Sequence, residues 1–507
     1  MRDKNISEKY EFFVGLEIHM ALKTKTKAFS PTANTFNEKA NTIINEIDLG
    51  YPGTKPLVNK EMVRLAYYAC KLLNMKIAKT IIFDRKNYFY PDLSKGYQIT
   101  QFYYPLGENG YFEILKKDND FKKIKINRIH MEEDTAKQII KDNLIEFDFN
   151  RSGIPLIELV TDFTSFSSLD EVILFLEQLR EEMLINEICS GDLYKGDFRI
   201  DLNVSIKKIE EKKYNNKVEI KNLNSFKNVK IAIVKEIKEQ IMALEKNQLI
   251  EEVTKNFDEK TQNNLIMREK DQEYHYNFIT ETNILPITIG SDFLKEIESH
   301  KLFVLKEIKK NFIKNEIPKT QSKVILSSTI LFQLYSYYVD KYTKKEDLKK
   351  IISFLATRFQ EALKSNLSLK NLASDSITIR IQETLKSNDI TYKNINKELL
   401  LYIIKLFYSG KINGIEIKDV LNKLLSNDKN IKKIISNFEK KEVISKEEIK
   451  SALIQFINEN LNEYNKYATN KTKLEGFLIG RIINMLKNQA DPRTIKEVVE
   501  KYIKNLD

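Results

Sequence analysis

The hydrophobic pattern changes period near residue 295, and no other feature limits the fold as tightly. Before that point, apolar and polar residues alternate in short runs. Phe198-Arg-Ile-Asp-Leu-Asn-Val-Ser-Ile206 alternates without a break, which predicts a half-buried strand, and Lys217-Val-Glu-Ile-Lys221 repeats the pattern. Helical spacing interrupts the strands. Apolar residues recur at three and four from Glu61 to Lys79 (Met62, Leu65, Ala66, Ala69, Leu72, Leu73), and Ser168-Leu-Asp-Glu171 reads as a capping box before Val172–Leu184. Asn224 is positioned to cap a helix whose stripe holds Phe226, Val229, Ile233, Val234, Ile237 and Ile241. Asn109-Gly110 suits a hairpin turn with positive φ. Pro31, Pro52, Pro56, Pro91, Pro105, Pro155 and Pro286 all precede residue 295, and only Pro318 and Pro492 follow it. Beyond 295 the chain carries long Lys/Glu/Leu/Ile helical segments, such as Asp347–Lys364, Lys397–Tyr408, Glu447–Leu461 and Thr494–Lys504. An α+β part followed by an all-helical part is the expected fold.

A chain of 507 residues exceeds one compact core, so two to four domains are expected. No run of about 18 apolar residues exists, which argues against a membrane span. The first ten residues lack an apolar h-region and an Arg/Ser-rich bias, so they read as an untargeted start. Cys70 and Cys189 are too few for a cysteine-only zinc site and suit buried thiols in a reducing cytoplasm. Lys and Arg number 83 against 72 Asp and Glu, an excess of 11. That excess suits a polyanionic partner such as RNA or nucleotide phosphate; codon-driven Lys enrichment, in a chain with no Trp, is the other reading.

Several segments carry chemistry. In Val14-Gly-Leu-Glu17-Ile-His19-Met-Ala-Leu22, strand alternation puts Glu17 and His19 on one face, able to share a metal, to act as acid and base, or to form a solvated ion pair. Ile129-His-Met-Glu132-Glu133-Asp134 clusters three acids at a strand end, as a hard-oxygen site or a solvated loop, and parity leaves open whether Glu132 or Glu133 faces a site. Glu158 sits inside the apolar strand Ile154–Val160, where a carboxylate needs a cation, a hydrogen-bond donor or a proton. Arg199, Asp201 and Asn203 project together from one strand. Lys221, Asn222 and Asn224 mark a strand-to-helix transition suited to phosphate. Arg85, Lys86 and Asn87 lie in an aromatic stretch ending at Pro91, which could hold phosphate, stack a base or pack as a turn. Walker, protein-kinase and Gly-x-Ser-x-Gly motifs are absent.

Taken in order, these blocks resemble one family. Val14–His19, Lys23-Thr24, Phe29-Ser-Pro31, Asp84–Asp92, Tyr97-Gln-Ile99, Ile129–Asp134, Asp148-Phe-Asn150-Arg151, Pro155–Glu158 and Lys221–Phe226 look like the signature blocks of the B subunit of the glutamine-dependent aspartyl/glutamyl-tRNA amidotransferases. Ile266-Met-Arg268, Tyr274-His-Tyr276, Gly476–Gly480 and Ala490-Asp-Pro492 extend the likeness toward the end of the chain. The resemblance implies a cradle-like α+β domain with an antiparallel sheet over 1–295, a helical domain over 296–430 and a helical tail over 431–507 that contacts tRNA. It implies ATP-dependent phosphorylation of the side-chain carboxylate of Glu-tRNA(Gln) or Asp-tRNA(Asn), then amidation by channelled ammonia. The implied partners are misacylated tRNA, a small C subunit, and an amidase, the A subunit, in the cytoplasm. The implied metal and catalytic residues are Glu17, His19, Glu133 and Glu158, holding Mg²⁺ with Mn²⁺ as a substitute. Arg85, Lys86, Asn87, Asn150, Arg151, Arg199, Asp201, Asn203, Lys221 and Asn222 are expected to hold ATP, phosphate or substrate. The chain departs from the family pattern in two places. Thr42–Ile47 carries no cysteine pair, so no structural zinc is expected, and Asn470–Glu475 replaces a Gly-Lys-rich run. A non-catalytic tRNA-binding scaffold and a free-standing phosphotransferase are the competing readings.

Overall fold

The computed structural model describes residues 9–36, 38–141, 144–269, 276–342, 344–365, 391–439, 444–468, 470–486, 490 and 492–504. Tyr274, His275 and Asp491 of the sequence blocks lie outside them. The chain forms two compact units, Met1–Lys314 and Asn315–Asp507.

The strands of the first unit are β1 (Tyr10–Ala21), β2 (Lys76–Ile77), β3 (Thr80–Ile81), β4 (Asp84–Asn87), β5 (Tyr97–Thr100), β6 (Gly107–Leu115), β7 (Phe121–Glu133) and β8 (Lys137–Lys141). They continue with β9 (Leu144–Asp148), β10 (Pro155–Thr161), β11 (Phe198–Lys208), β12 (Val218–Lys221), β13 (Val253–Asp258), β14 (Asn263–Glu269), β15 (Asn277–Thr280) and β16 (Ile287–Thr288). Nine form one sheet in the order β14-β13-β12-β11-β1-β10-β7-β6-β2. Its ladders are antiparallel except β12 with β13. The sheet is thus mostly antiparallel, as expected; β12 and β13 run parallel because a helix connects them, and a helical crossover returns the chain in the same direction.

The helices of this unit are α1 (Lys60–Leu72), α2 (Leu169–Ile185), α3 (Phe226–Glu245), α4 (Ser291–Ser299) and α5 (Leu305–Lys314). Helices α1, α2 and α3 pack on the sheet. Leu16, Ile18, Met20, Ile157, Leu159, Ile200 and Leu202 are fully buried, or nearly so, on one face. Each such side chain contributes roughly 1.5–3 kcal/mol of burial energy. The alternate residues Glu17, His19, Glu158, Arg199 and Asp201 are thereby committed to the opposite face.

Local signals met different fates. Helix α1 stops at Leu72, short of the expected Lys79, because Asn74 turns the chain with φ 53° and Lys76–Ile77 joins the sheet. Asn109 does adopt positive φ, but inside β6 and not in a hairpin. Gly110 is needed there because a Cβ would meet Met75 Cγ at 2.4 Å and the Leu73 carbonyl at 2.6 Å. Ser168 caps α2 through the Glu171 N–H, whereas the Glu171 carboxylate accepts from Ser167 N–H and pairs with Lys122, so the box is not reciprocal. Ser225, not Asn224, caps α3. Both cysteines are buried thiols, and burial pushes their pKa values up.

The second unit is helical throughout its described residues. A helix from Lys345 passes through a π turn at Leu355–Phe359 and continues to Ser365. In the tail, a reciprocal Ser445–Glu448 capping box opens Lys446–Glu459. Ile449, Leu453 and Ile457 pack with Leu474, Leu478, Ile482, Ile495, Val499 and Ile503, a separate small core at helical spacing. No helix among the described residues is long and apolar enough to cross a membrane.

Glu182 in α2 explains why the first unit extends to Lys314. Its carboxyl accepts from Leu305 N–H at 2.9 Å, at the start of α5, while Asn186 accepts from Phe303 N–H at 2.8 Å. Burial raises the Glu182 pKa from 4.5 to about 8. The folded state therefore keeps a proton that the unfolded chain releases, and this group's contribution to stability falls as pH rises from about 4.5 to 8. Glu182→Gln keeps the acceptor and removes the titration. The melting temperature of the variant is expected to gain on wild type progressively from pH 5 to pH 8, and curves that stay parallel would contradict the assignment.

Candidate active site

Strand register assembles the polar face. His19 on β1 pairs with Arg199 on β11 and with Glu158 on β10, and Glu158 pairs with His130 on β7. Directly paired residues share a face, so Arg199, His19, Glu158 and His130 form one row across four strands. Glu17 lies one step along, paired with Asp201.

Glu158 sits between two imidazoles. His19 Nε2 lies 3.1 Å and His130 Nε2 3.3 Å from Glu158 Oε2, and His19 Nε2 also lies 3.4 Å from Glu132 Oε1. Burial opposes charge on all of them. The two imidazoles nonetheless hold the Glu158 carboxyl well below the usual carboxylate range, and the carboxylates raise His19 and lift His130 to about 9. His130 Nδ1 is buried and makes no hydrogen bond among the described residues. Glu17 is raised by burial, then by the negative charge of Glu158, and it accepts a hydrogen bond from Asn203 Nδ2 at 3.0 Å.

A cavity of about 330 Å³ opens over this row. His19, Glu132, Asp134, Arg199, Asp201, Lys221, Asn222 and Asn224 line it, as do Lys86, Tyr88, Gln98 and Thr135. Asp134 anchors the cationic wall, accepting from Arg199 Nη2 at 3.0 Å and from Arg151 Nε at 2.6 Å. Burial opposes the charge of Asp134, but the two guanidiniums outweigh it and lower its pKa. Lys221 lies 3.1 Å from Glu219 and 3.7 Å from Asp201, which keep it protonated against its burial. Asn222 holds φ 63° and donates to Asn256 Oδ1 at 2.9 Å, setting the turn that leads into α3.

Of the four ligands that the resemblance implied, the structure brings His19 and Glu158 together with Glu132. One donor atom from each lies within 4.8 Å of the others. Two carboxylates and an imidazole of this spacing fit a divalent cation, with the cavity side left for water or phosphate oxygens. Glu17 stands outside the group. Glu133 points away, pairing with Lys95 Nζ and accepting from Ile99 N–H at 3.0 Å.

The expected phosphate ligands also divide. Lys86, Arg199, Asp201, Lys221 and Asn222 line the cavity. Arg85 is held by both oxygens of Glu281 at 2.7 and 2.9 Å, and Asn87 donates to the Asn277 carbonyl. Asn150 bridges Ile43 and Lys39, and Arg151 spans Asp134 and the Gly196 carbonyl. Asn203 serves Glu17. His130, Gln98, Tyr88 and Thr135 escaped the sequence reading as site residues, whereas Asp134 was read there only as one of three clustered acids and not as the anchor of Arg199 and Arg151.

Residues 12–295 match the family model described as GatB/GatE catalytic domain, and residues 357–503 match the GatB domain. The chain belongs to the GatB family. It is 36% identical over 503 residues to the B subunit of the aspartyl/glutamyl-tRNA(Asn/Gln) amidotransferase of Mycoplasma mycoides, covering 98% of this chain and 100% of the relative. It is 38% identical over 504 residues to the protein of the same name from Mycoplasmopsis pulmonis, covering 98% and 99%. In this GatB-family chain the catalytic-domain match contains every residue of the polar row and the cavity.

Geometry makes Glu132 and Glu133 separable. Glu132→Gln is expected to weaken Mn²⁺ binding to the full chain about tenfold or more in titrations followed by electron paramagnetic resonance. Glu133→Gln is expected to leave that affinity intact and lower the melting temperature, since it strands the Lys95 charge. The reverse pattern would place the cation on the other carboxylate.

Proposed function

We propose that this chain is the carboxylate-activating member of a glutamine-dependent tRNA amidotransferase complex. The reading is ATP-dependent phosphorylation of the side-chain carboxylate of Glu-tRNA(Gln), Asp-tRNA(Asn) or both, followed by amidation with channelled ammonia. The observation that carries it is the meeting, in one cavity, of the His19–Glu132–Glu158 group with Arg199, Lys221 and Lys86. Anionic donors for a cation facing cationic side chains are what a triphosphate and a carboxylate require in order to approach each other. Family membership supports the same reading.

A carboxylate does not release oxide to ammonia, so its oxygen must first become a better leaving group. A side-chain oxygen of the aminoacyl group attacks the γ-phosphorus of ATP, the bond to the bridging oxygen breaks, and ADP departs. Ammonia then attacks the carbonyl carbon, and phosphate leaves with the former carboxylate oxygen. A Mg²⁺ ion held by His19, Glu132 and Glu158, or Mn²⁺ in its place, would neutralise charge on the γ-phosphoryl group. Arg199, next to His19 in the row and fixed by Asp134, and Lys221, fixed by Glu219 and Asp201, would orient phosphoryl oxygens beside the cation. His130 holds Glu158 ionised beneath the floor of the site.

Partners follow from the chemistry. Ammonia comes from a glutaminase, the role proposed for the amidase or A subunit, with the small C subunit holding the two larger chains together. The exposed tail lysines, Lys450, Lys473 and Lys501 among them, suit the phosphates of the tRNA body, so we assign the tail over 431–507 a tRNA contact. A cytoplasmic location fits a tRNA substrate.

In the assembled complex, Glu158→Gln is expected to reduce ATP-dependent amide formation by about 100-fold or more while glutamine hydrolysis persists. Wild-type amidation by that variant would overturn the assignment.

A further inference from the structure

Lys86 and Tyr88 line the cavity from the segment around β4, and the rings beyond them form a continuous series. Tyr88 meets Tyr276 edge-on at 5.2 Å, and Tyr276 lies 6.4 Å from Phe278. Phe278 stacks on Phe102 at 4.0 Å with planes 14° apart, and Phe102 meets Tyr103 at 5.1 Å. Burial does not account for this series. Tyr276 is 43% exposed, Phe102 42% and Tyr103 54%, while Phe278 between them is half-buried, so three of the four rings keep part of their surface in water. Their scaffold is rigid: β4 pairs with β5 and β15, and Asp84 accepts from the N–H groups of Phe102 and Tyr103 at 2.8 and 3.0 Å. Lys86 Nζ lies 4.3 Å from the Tyr276 ring centre and 5.6 Å from that of Tyr88, so a cation sits where the series enters the cavity.

A row of partly exposed rings with a cation at one end, leading into a reaction cavity, matches the chemistry of an unpaired nucleotide chain. Bases stack on the rings, and the phosphate nearest the cavity meets the lysine. We propose that the series Tyr276–Phe278–Phe102–Tyr103 is the binding track for the single-stranded 3′ end of the aminoacylated tRNA, delivering its terminal ester past Lys86 into the cavity. This inference rests on the function proposed above and adds the substrate's path. The track ends at the cavity that must receive the aminoacyl group, and it carries the positive charge that a phosphate chain requires.

Two measurements test it. The first uses the full chain and a short 5′-labelled single-stranded RNA with the tRNA 3′ sequence, followed by fluorescence anisotropy. Phe102→Ala and Tyr103→Ala are each expected to weaken binding on the order of 5- to 100-fold, the worth of one stacked base; Tyr103→Ala is expected to keep the melting temperature, and Phe102→Ala, which also loses its stack on Phe278, to lower it modestly. Phe102→Leu, which keeps apolar bulk and loses the flat face, is expected to weaken binding as Ala does. The second uses the assembled complex, where the same variants are expected to raise the KM for misacylated tRNA by a similar factor and leave the KM for ATP and glutamine hydrolysis unchanged. Unchanged RNA affinity would overturn the track. So would loss of the partner chains on purification with RNA affinity intact, which would make the surface a protein interface. The anisotropy arm needs no turnover, so a complex that fails to amidate would count against the proposed function without deciding the track.

Discussion

The site depends on one carboxylate held between two imidazoles. Glu158 occupies the middle of a nine-stranded sheet, and its side chain is only 14% exposed. An isolated ion there would cost several kcal/mol. His19 and His130 offset that penalty from the strands on either side, which is possible because register places both directly opposite Glu158. The arrangement leaves the carboxylate charged, with a second carboxylate, Glu132, 3.4 Å from the same His19. A divalent cation bound by His19, Glu132 and Glu158 would displace the Nε2 proton of His19 and take over as counter-charge to the two carboxylates.

The rest of the first unit keeps that row in place. Period-2 alternation sends Leu16, Ile18 and Met20 into the core and Glu17 and His19 into the site, so core packing and site geometry are two faces of the same strands. A one-residue slip of β1 would exchange them, which makes the buried face the determinant of register. The cationic wall is fixed by ion pairs of its own: Asp134 between two arginines, and Lys221 between Asp201 and Glu219. These pairs hold Arg199 and Lys221 in place beside the cation group.

Much of this was legible from local patterns and some was not, for a physical reason. Alternation along 198–206 identified Arg199, Asp201 and Asn203 as one face, and β11 carries them so. The lone acid in an apolar run marked Glu158. The choice between Glu132 and Glu133 was not readable within β7, because which face is the site face depends on pairing with β10, a strand more than twenty residues away. Arg85 read as a cation in an aromatic stretch that could hold phosphate, stack a base or pack as a turn, yet its partner Glu281 lies almost two hundred residues on in the chain. Asn109-Gly110 has the composition of a turn. Its real constraint is the close approach of Leu73 and Met75, which composition cannot express. Helix ends such as Asn74 were missed where apolar spacing ran past the point at which the sheet recruits the backbone.

The chemistry proposed for the cavity is activation of a carboxylate by transfer of a phosphoryl group onto it. Oxygen-18 in the side-chain carboxylate of the tRNA-bound Glu or Asp reports this directly, read by mass spectrometry of the products after amidation by the assembled complex. The account expects one labelled oxygen per turnover to appear in inorganic phosphate, with ADP as the nucleotide product. Label in AMP, or amide formed with no label in phosphate, would contradict it.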